Sequence, residues 1–76
     1  MILFTKPDCE KCEYVKRDLP AGAAITTLDI TTRDGLAELA FHGLVSVAEK
    51  ELPILLQDDG GHVAGAIRVR KALHGC

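Results

Sequence analysis

The apolar run Ile2-Leu3-Phe4 stops at Pro7-Asp8, and two cysteines separated by two residues follow at once, Cys9-Glu10-Lys11-Cys12. This junction constrains the fold more than any other feature. A short apolar strand that empties into helix-forming sequence must return through a crossover if the next strand is to lie parallel beside it. The junction also sets the first cysteine at a helix N-terminus. There, unpaired backbone N–H groups and the helix dipole favour a thiolate over a thiol. A thiol of pKa near 8.5 is only about 3% ionised at pH 7, whereas one two units lower is roughly three-quarters ionised. Lys6 adds positive charge to this site, and Asp8 and Glu10 oppose it.

Hydropathy and turn residues predict the remaining elements. Met1–Thr5 reads as a buried strand. Asp8 is the expected N-cap of a helix from Cys9 to about Leu19, with Cys12, Val15 and Leu19 on its apolar stripe and Glu13–Arg17 as an i,i+4 pair. Pro20 and Gly22 should end that helix. Ile25–Ile30 is a β-branched second strand. Thr31, Thr32 and Asp34 offer caps for a second helix whose stripe, Leu36, Leu39, Ala40, Gly43, Leu44 and Val47, suggests that it continues past Gly43. Pro53–Gln57 is a third strand, Asp58-Asp59-Gly60-Gly61 a turn, His62–Ile67 a fourth strand, and Arg68 to about His74 a closing helix. The order β-α-β-α-β-β-α predicts an α/β domain over residues 1–76, with a four-stranded mixed sheet, parallel first strands, a closing hairpin and helices on both faces.

Composition excludes some function classes. The 76 residues carry a net charge of −2, are 47% apolar and 26% charged, and contain no apolar run near the ~20 residues that span a bilayer. We therefore expect a monomeric cytoplasmic domain without a signal peptide, binding neither nucleic acid nor membrane. In that compartment a Cys-x-x-Cys pair is redox-active, metal-binding or a pair of structural thiols. A sharper metal hypothesis joins Cys9 and Cys12 to His74 and Cys76 as a zinc set, although a His-x-Cys half is atypical. The alternative for Cys76 is a free thiol on a frayed tail. His42 and His62 have no partner pattern and read as structural or exposed.

The segment Thr5-Lys6-Pro7-Asp8-Cys9-Glu10-Lys11-Cys12 resembles the active-site segment of glutaredoxins, Thr-Lys-Pro-x-Cys-x-x-Cys. Leu52-Pro53 falls where the thioredoxin-fold superfamily carries its cis-proline, and Gly65-Ala66 where glutaredoxins carry a Gly-Gly pair before the last helix. The resemblance covers essentially the whole chain. It implies a thioredoxin-like, glutaredoxin-type fold and a thiol–disulfide oxidoreductase, with Cys9 as nucleophile and Cys12 as resolving thiol. It implies a cis bond at Pro53, although X–Pro bonds intrinsically favour trans by about 0.5–1 kcal/mol. Leu52 would then pair its backbone with an extended substrate.

Lys6, Gly65 and Arg68 would complete the substrate site. Lys6 would stabilise the thiolate or a substrate carboxylate. Arg68, with Arg70 and Lys71, would meet an acidic partner or the glycine carboxylate of a thiol cofactor. The plain alternative for each is a solvated surface charge. Departures from the family are Glu10-Lys11 in place of Pro-Tyr, Glu51-Leu52-Pro53 in place of Thr-Val-Pro, and Arg68 where an acidic residue is common. With these departures, a protein dedicated to one protein partner, such as a ribonucleotide reductase, fits at least as well as a glutathione-linked one. Glutathione or a flavin-dependent reductase would be the electron donor. No organic cofactor is implied. The alternative class is a thioredoxin-fold module that holds zinc or a subunit-bridging iron–sulfur cluster without redox turnover.

Overall fold

The computed structural model describes residues 1–17, 19 and 24–74. Its elements are β1 (Ile2–Thr5), α1 (Glu10–Arg17), β2 (Thr26–Asp29), α2 (Arg33–Phe41), α3 (Val45–Lys50), β3 (Ile54–Leu56), β4 (His62–Ala64) and α4 (Ala66–His74). The four strands form one mixed sheet in the order β2-β1-β3-β4. β1 pairs parallel with β2, and antiparallel with β3 in the register Ile2↔Leu56, Leu3↔Leu55, Phe4↔Ile54. β3 and β4 form the expected hairpin, closed by Gln57 N–H donating to Gly61 O at 2.8 Å, with Gly60 in the left-handed region at φ 90°.

Strand alternation divides the core in two. Leu3 and Leu55, adjacent in register, pack with Val15 of α1 and Val69 of α4 on one face. Phe4, Ile54 and Leu56 point the other way and pack with Leu39 of α2, Leu44, Leu52 and Cys12. Cys12 and Val15 thus belong to the same helix but to different clusters. α1 begins where β1 ends, and its first turn buries Cys12 against Phe4 and Leu52. Among the described residues, no helix is long and apolar enough to cross a membrane.

The second helix does not continue through Gly43. Gly43 adopts φ 69°, its N–H donates to Ala40 O at 3.0 Å, and Leu44 N–H donates to Leu39 O at 3.0 Å. This is a Schellman ending, and it brings Leu39 and Leu44 together in the core. The apolar stripe therefore runs on across a helix break between α2 and α3. Leu36, expected on the stripe, is half exposed. Gly35 and Leu39 form the buried edge of α2 instead, because Gly35 lies against the Asp29 carbonyl. Thr32 is the N-cap, accepting from Gly35 N–H at 3.1 Å. Nearby, the Asp29 carboxylate accepts from the Thr31 hydroxyl at 2.6 Å and the Thr31 N–H at 2.8 Å, which holds it below the ordinary carboxylate range.

Other boundaries also move. The cap of α1 is Cys9 rather than Asp8, which takes the left-handed region at φ 57°. Lys16 pairs with Glu13 at 3.2 Å, where Arg17 was the expected partner. β4 ends at Ala64, and the predicted strand residue Ile67 belongs to α4 and is exposed. Gly65, at φ 93°, makes that transition. Pro20 and Gly22, expected to end the first helix, and Cys76 lie outside the described residues.

Candidate active site

The Pro7-Asp8 turn delivers Cys9 to the flanking position before α1. Its carbonyl accepts the first helical bond, from Glu13 N–H at 3.0 Å. Its sulfur accepts from Cys12 N–H at 3.2 Å. Cys9 therefore does what a serine or aspartate usually does at an N-cap: it satisfies an orphan helix donor with its own side chain. That bond seats the sulfur over the first turn of α1, against a backbone N–H. Both cysteines are free thiols, Cys9 half-buried and Cys12 fully buried.

Cys12 has the opposite environment. Burial, first, and hydrogen bonding with the Cys9 side chain, second, push its thiol up from 9.0 to about 11. The backbone N–H of Lys6 and the charge of Lys16 pull the other way without reversing the shift. Cys12 is thus a protonated thiol at neutral pH, one turn from Cys9 and shielded from solvent. Lys6 serves it through the backbone, and its side chain stands in solvent.

The expected proline feature is present: the Leu52–Pro53 peptide is cis, and both residues are buried. Leu52 packs in the same cluster as Cys12, with Cys9 against that cluster's edge. Pro53 O accepts from Gly65 N–H at 3.0 Å, tying the start of β3 to the start of α4. Leu52, Gly65 and Arg68 line one open hollow of about 240 Å³, together with Lys11 and Glu51. A Cβ built on Gly65 would stand 2.9 Å from Oε2 of Glu51, so that carboxylate leans over the N-terminal end of α4.

Cys9 does not share this hollow. It lines a separate one of about 600 Å³ with Asp8, Glu10, Glu13, Tyr14 and Arg17. The proposed nucleophile and the Leu52–Gly65–Arg68 group thus flank α1's first turn from different sides. Lys11, Glu51 and Tyr14 are site-lining residues that sequence reasoning did not assign. Tyr14 was legible in principle, since Glu10, Glu13, Tyr14 and Arg17 share one face of a helix. Among the described residues, no group of three or more His, Cys, Asp or Glu side chains is arranged to hold a metal ion. The set that includes His74 and Cys76 falls partly outside the described residues.

Against this geometry, a scan of protein-family models and searches of curated proteins and of solved structures return no significant match.

Proposed function

We propose that this chain is a thiol–disulfide oxidoreductase with a thioredoxin-like fold of glutaredoxin type, acting on a disulfide in a protein client. The observation that carries the reading is the asymmetry of the two thiols. Cys9 is accessible and hydrogen-bonded by a helix N–H, whereas Cys12 is buried, adjacent and protonated. Disulfide exchange needs this division: one sulfur to attack from solvent, and a second held back until a mixed disulfide exists. The mixed four-stranded sheet and the Leu52-Pro53 turn beside the Cys12 cluster support the fold assignment.

In the proposed cycle, Cys9 thiolate attacks one sulfur of the client disulfide, and the other client sulfur leaves as a thiolate that takes a proton. Cys12 then loses its proton and attacks Cys9 Sγ. The Cys9–Cys12 disulfide forms and the client's second sulfur departs as a thiol. Two electrons pass to the client, and glutathione or a flavin-dependent reductase restores the dithiol. Turnover of hydroxyethyl disulfide tests the cycle: the wild type should reduce it and Cys9→Ser should not. Full activity in Cys9→Ser would overturn the reading. The non-redox alternative, a metal-holding module, predicts instead a stoichiometric metal in anaerobically purified protein that Cys9→Ser releases.

A further inference from the structure

β4 is an edge strand whose outer side is open. In the order β2-β1-β3-β4 its only strand neighbour is β3. Gln57 N–H donates to Gly61 O and Gly65 N–H to Pro53 O, so the bonded pairs of this hairpin are Gln57–Gly61, Leu55–Val63 and Pro53–Gly65. His62 and Ala64 occupy the alternate positions and turn their N–H and C=O groups away from β3. Among the described residues, no group bonds to that outward backbone.

The open edge lies in a basic surface. A hollow of about 380 Å³ runs beside it, lined by Lys50 at the end of α3, by His62 and by Arg68 of α4. α3 and α4 cover opposite faces of the sheet, since Val47 packs with the Phe4 cluster and Val69 with the Leu3 cluster. Lys50 and Arg68 therefore flank the edge from both sides. Lys11 lines the adjoining hollow, which shares Glu51, Ala64 and Arg68. Together the two hollows hold three of the chain's nine lysines and arginines but one of its eleven acidic residues, Glu51. Lys11, Lys50 and Arg68 form no ion pair among the described residues.

We propose that β4 accepts an added strand from a partner protein: an extended acidic segment whose backbone pairs with His62 and Ala64. The free edge groups supply the pairing, and the unpaired cations select the charge. Side chains of an added strand alternate between the two faces of a sheet. On the α3 side they would meet Lys50 and His62, and on the α4 side Arg68. The same cations disfavour a second copy, because joining two β4 edges sets Lys50 and Arg68 against their own counterparts. This surface is separate from the hollow of Cys9, so the proposal goes beyond the thiol chemistry and does not depend on it.

A fluorescently labelled peptide, blocked at its C-terminus and carrying three consecutive glutamates between valines, tests this on the full chain. It should bind saturably in anisotropy titrations at low ionic strength, and the amide resonances of His62–Ala64 should shift. Lys50→Glu/Arg68→Glu should weaken binding about tenfold, since two exposed contacts change from attraction to repulsion. Salt at about 0.5 M should also weaken it. Strand addition has a signature that charge attraction lacks. N-methylating alternate residues of the peptide removes donors from one of its edges only, so one phase of methylation should abolish binding and the other should spare it. Equal effects of the two phases would overturn the proposal, as would no saturable binding up to about 1 mM. Displacement of the peptide by glutathione would make a small anion the occupant, and would also overturn it. So would a concentration-dependent oligomer in sedimentation that the double variant dissolves, which would make the occupant a second copy.

Discussion

If Cys12 is held as a buried thiol, a pulse of iodoacetamide on the reduced protein should separate it sharply from Cys9. Alkylation requires the thiolate. Raising the thiol from 9.0 to about 11 lowers its ionised fraction at pH 7 by about 100-fold relative to an ordinary cysteine. Cys12 also has no exposed surface, so the reagent must wait for local opening and the true difference is larger. Peptide mapping by mass spectrometry after short pulses reads both sites at once, with the protein unfolded in urea as the reference for unrestricted reaction. Cys9 should label first at every pH, and the rate at Cys12 should climb about tenfold per pH unit between 7 and 10. Labelling of Cys12 at pH 7 within tenfold of the unfolded reference would show that the thiol is neither shielded nor held protonated.

The same shift makes a stability statement. The folded state binds the Cys12 proton more tightly than the unfolded chain, so this contribution is fully present below pH 9 and is lost as pH rises toward 11. The gap between 9.0 and about 11 corresponds to about 3 kcal/mol. Over that window the urea midpoint of the wild type should fall more steeply than that of Cys12→Ala.

Two further outcomes test the packing that positions the site. A Cβ on Gly35 would stand 2.6 Å from the Asp29 carbonyl carbon, which is backbone and cannot swing aside, so Gly35→Ala should displace the first turn of α2. The expected cost is about 2–4 kcal/mol, from overpacking and the weakened Thr32 cap, and an unchanged urea midpoint would contradict it. Leu55, fully buried among Leu3, Val15 and Val69 where α1 and α4 meet the sheet, should cost about 2–5 kcal/mol when cut to alanine. That loss compares with the 5–15 kcal/mol of a whole domain, so Leu55→Ala should melt many degrees lower or fail to fold.

The sheet was legible because its strands are short, apolar or β-branched, and bounded by Pro, Gly and Asp. The face alternation of Leu3 against Phe4 follows directly from a period of two. The break between α2 and α3 was not legible, since Gly43 fits the helical stripe by spacing and only its left-handed backbone ends the helix. The border of β4 and α4 was hidden for a similar reason: Ala66-Ile67 extends an apolar run that suits strand and helix equally. At the site, the apolar strand that empties into Cys9-x-x-Cys12 ahead of helix-forming sequence pointed to a helix N-terminus. It did not reveal that Cys9 itself would be the cap, because Asp8 is the better capping residue by type and is displaced by its own left-handed turn. The partition of lining residues into two hollows depends on how α1, α4 and the Leu52-Pro53 turn meet in space, which no local pattern encodes.

In the proposed cycle Cys9 attacks and Cys12 resolves. Cys12→Ser, reduced and mixed with one equivalent of hydroxyethyl disulfide, tests it most directly. Attack without resolution should leave a stable mixed disulfide, heavier by the mass of one mercaptoethanol group and mapped to Cys9. The wild type should instead lose two hydrogens and accumulate the Cys9–Cys12 disulfide. An adduct carried by another cysteine, or a Cys12→Ser protein that turns over as fast as the wild type, would contradict the assignment.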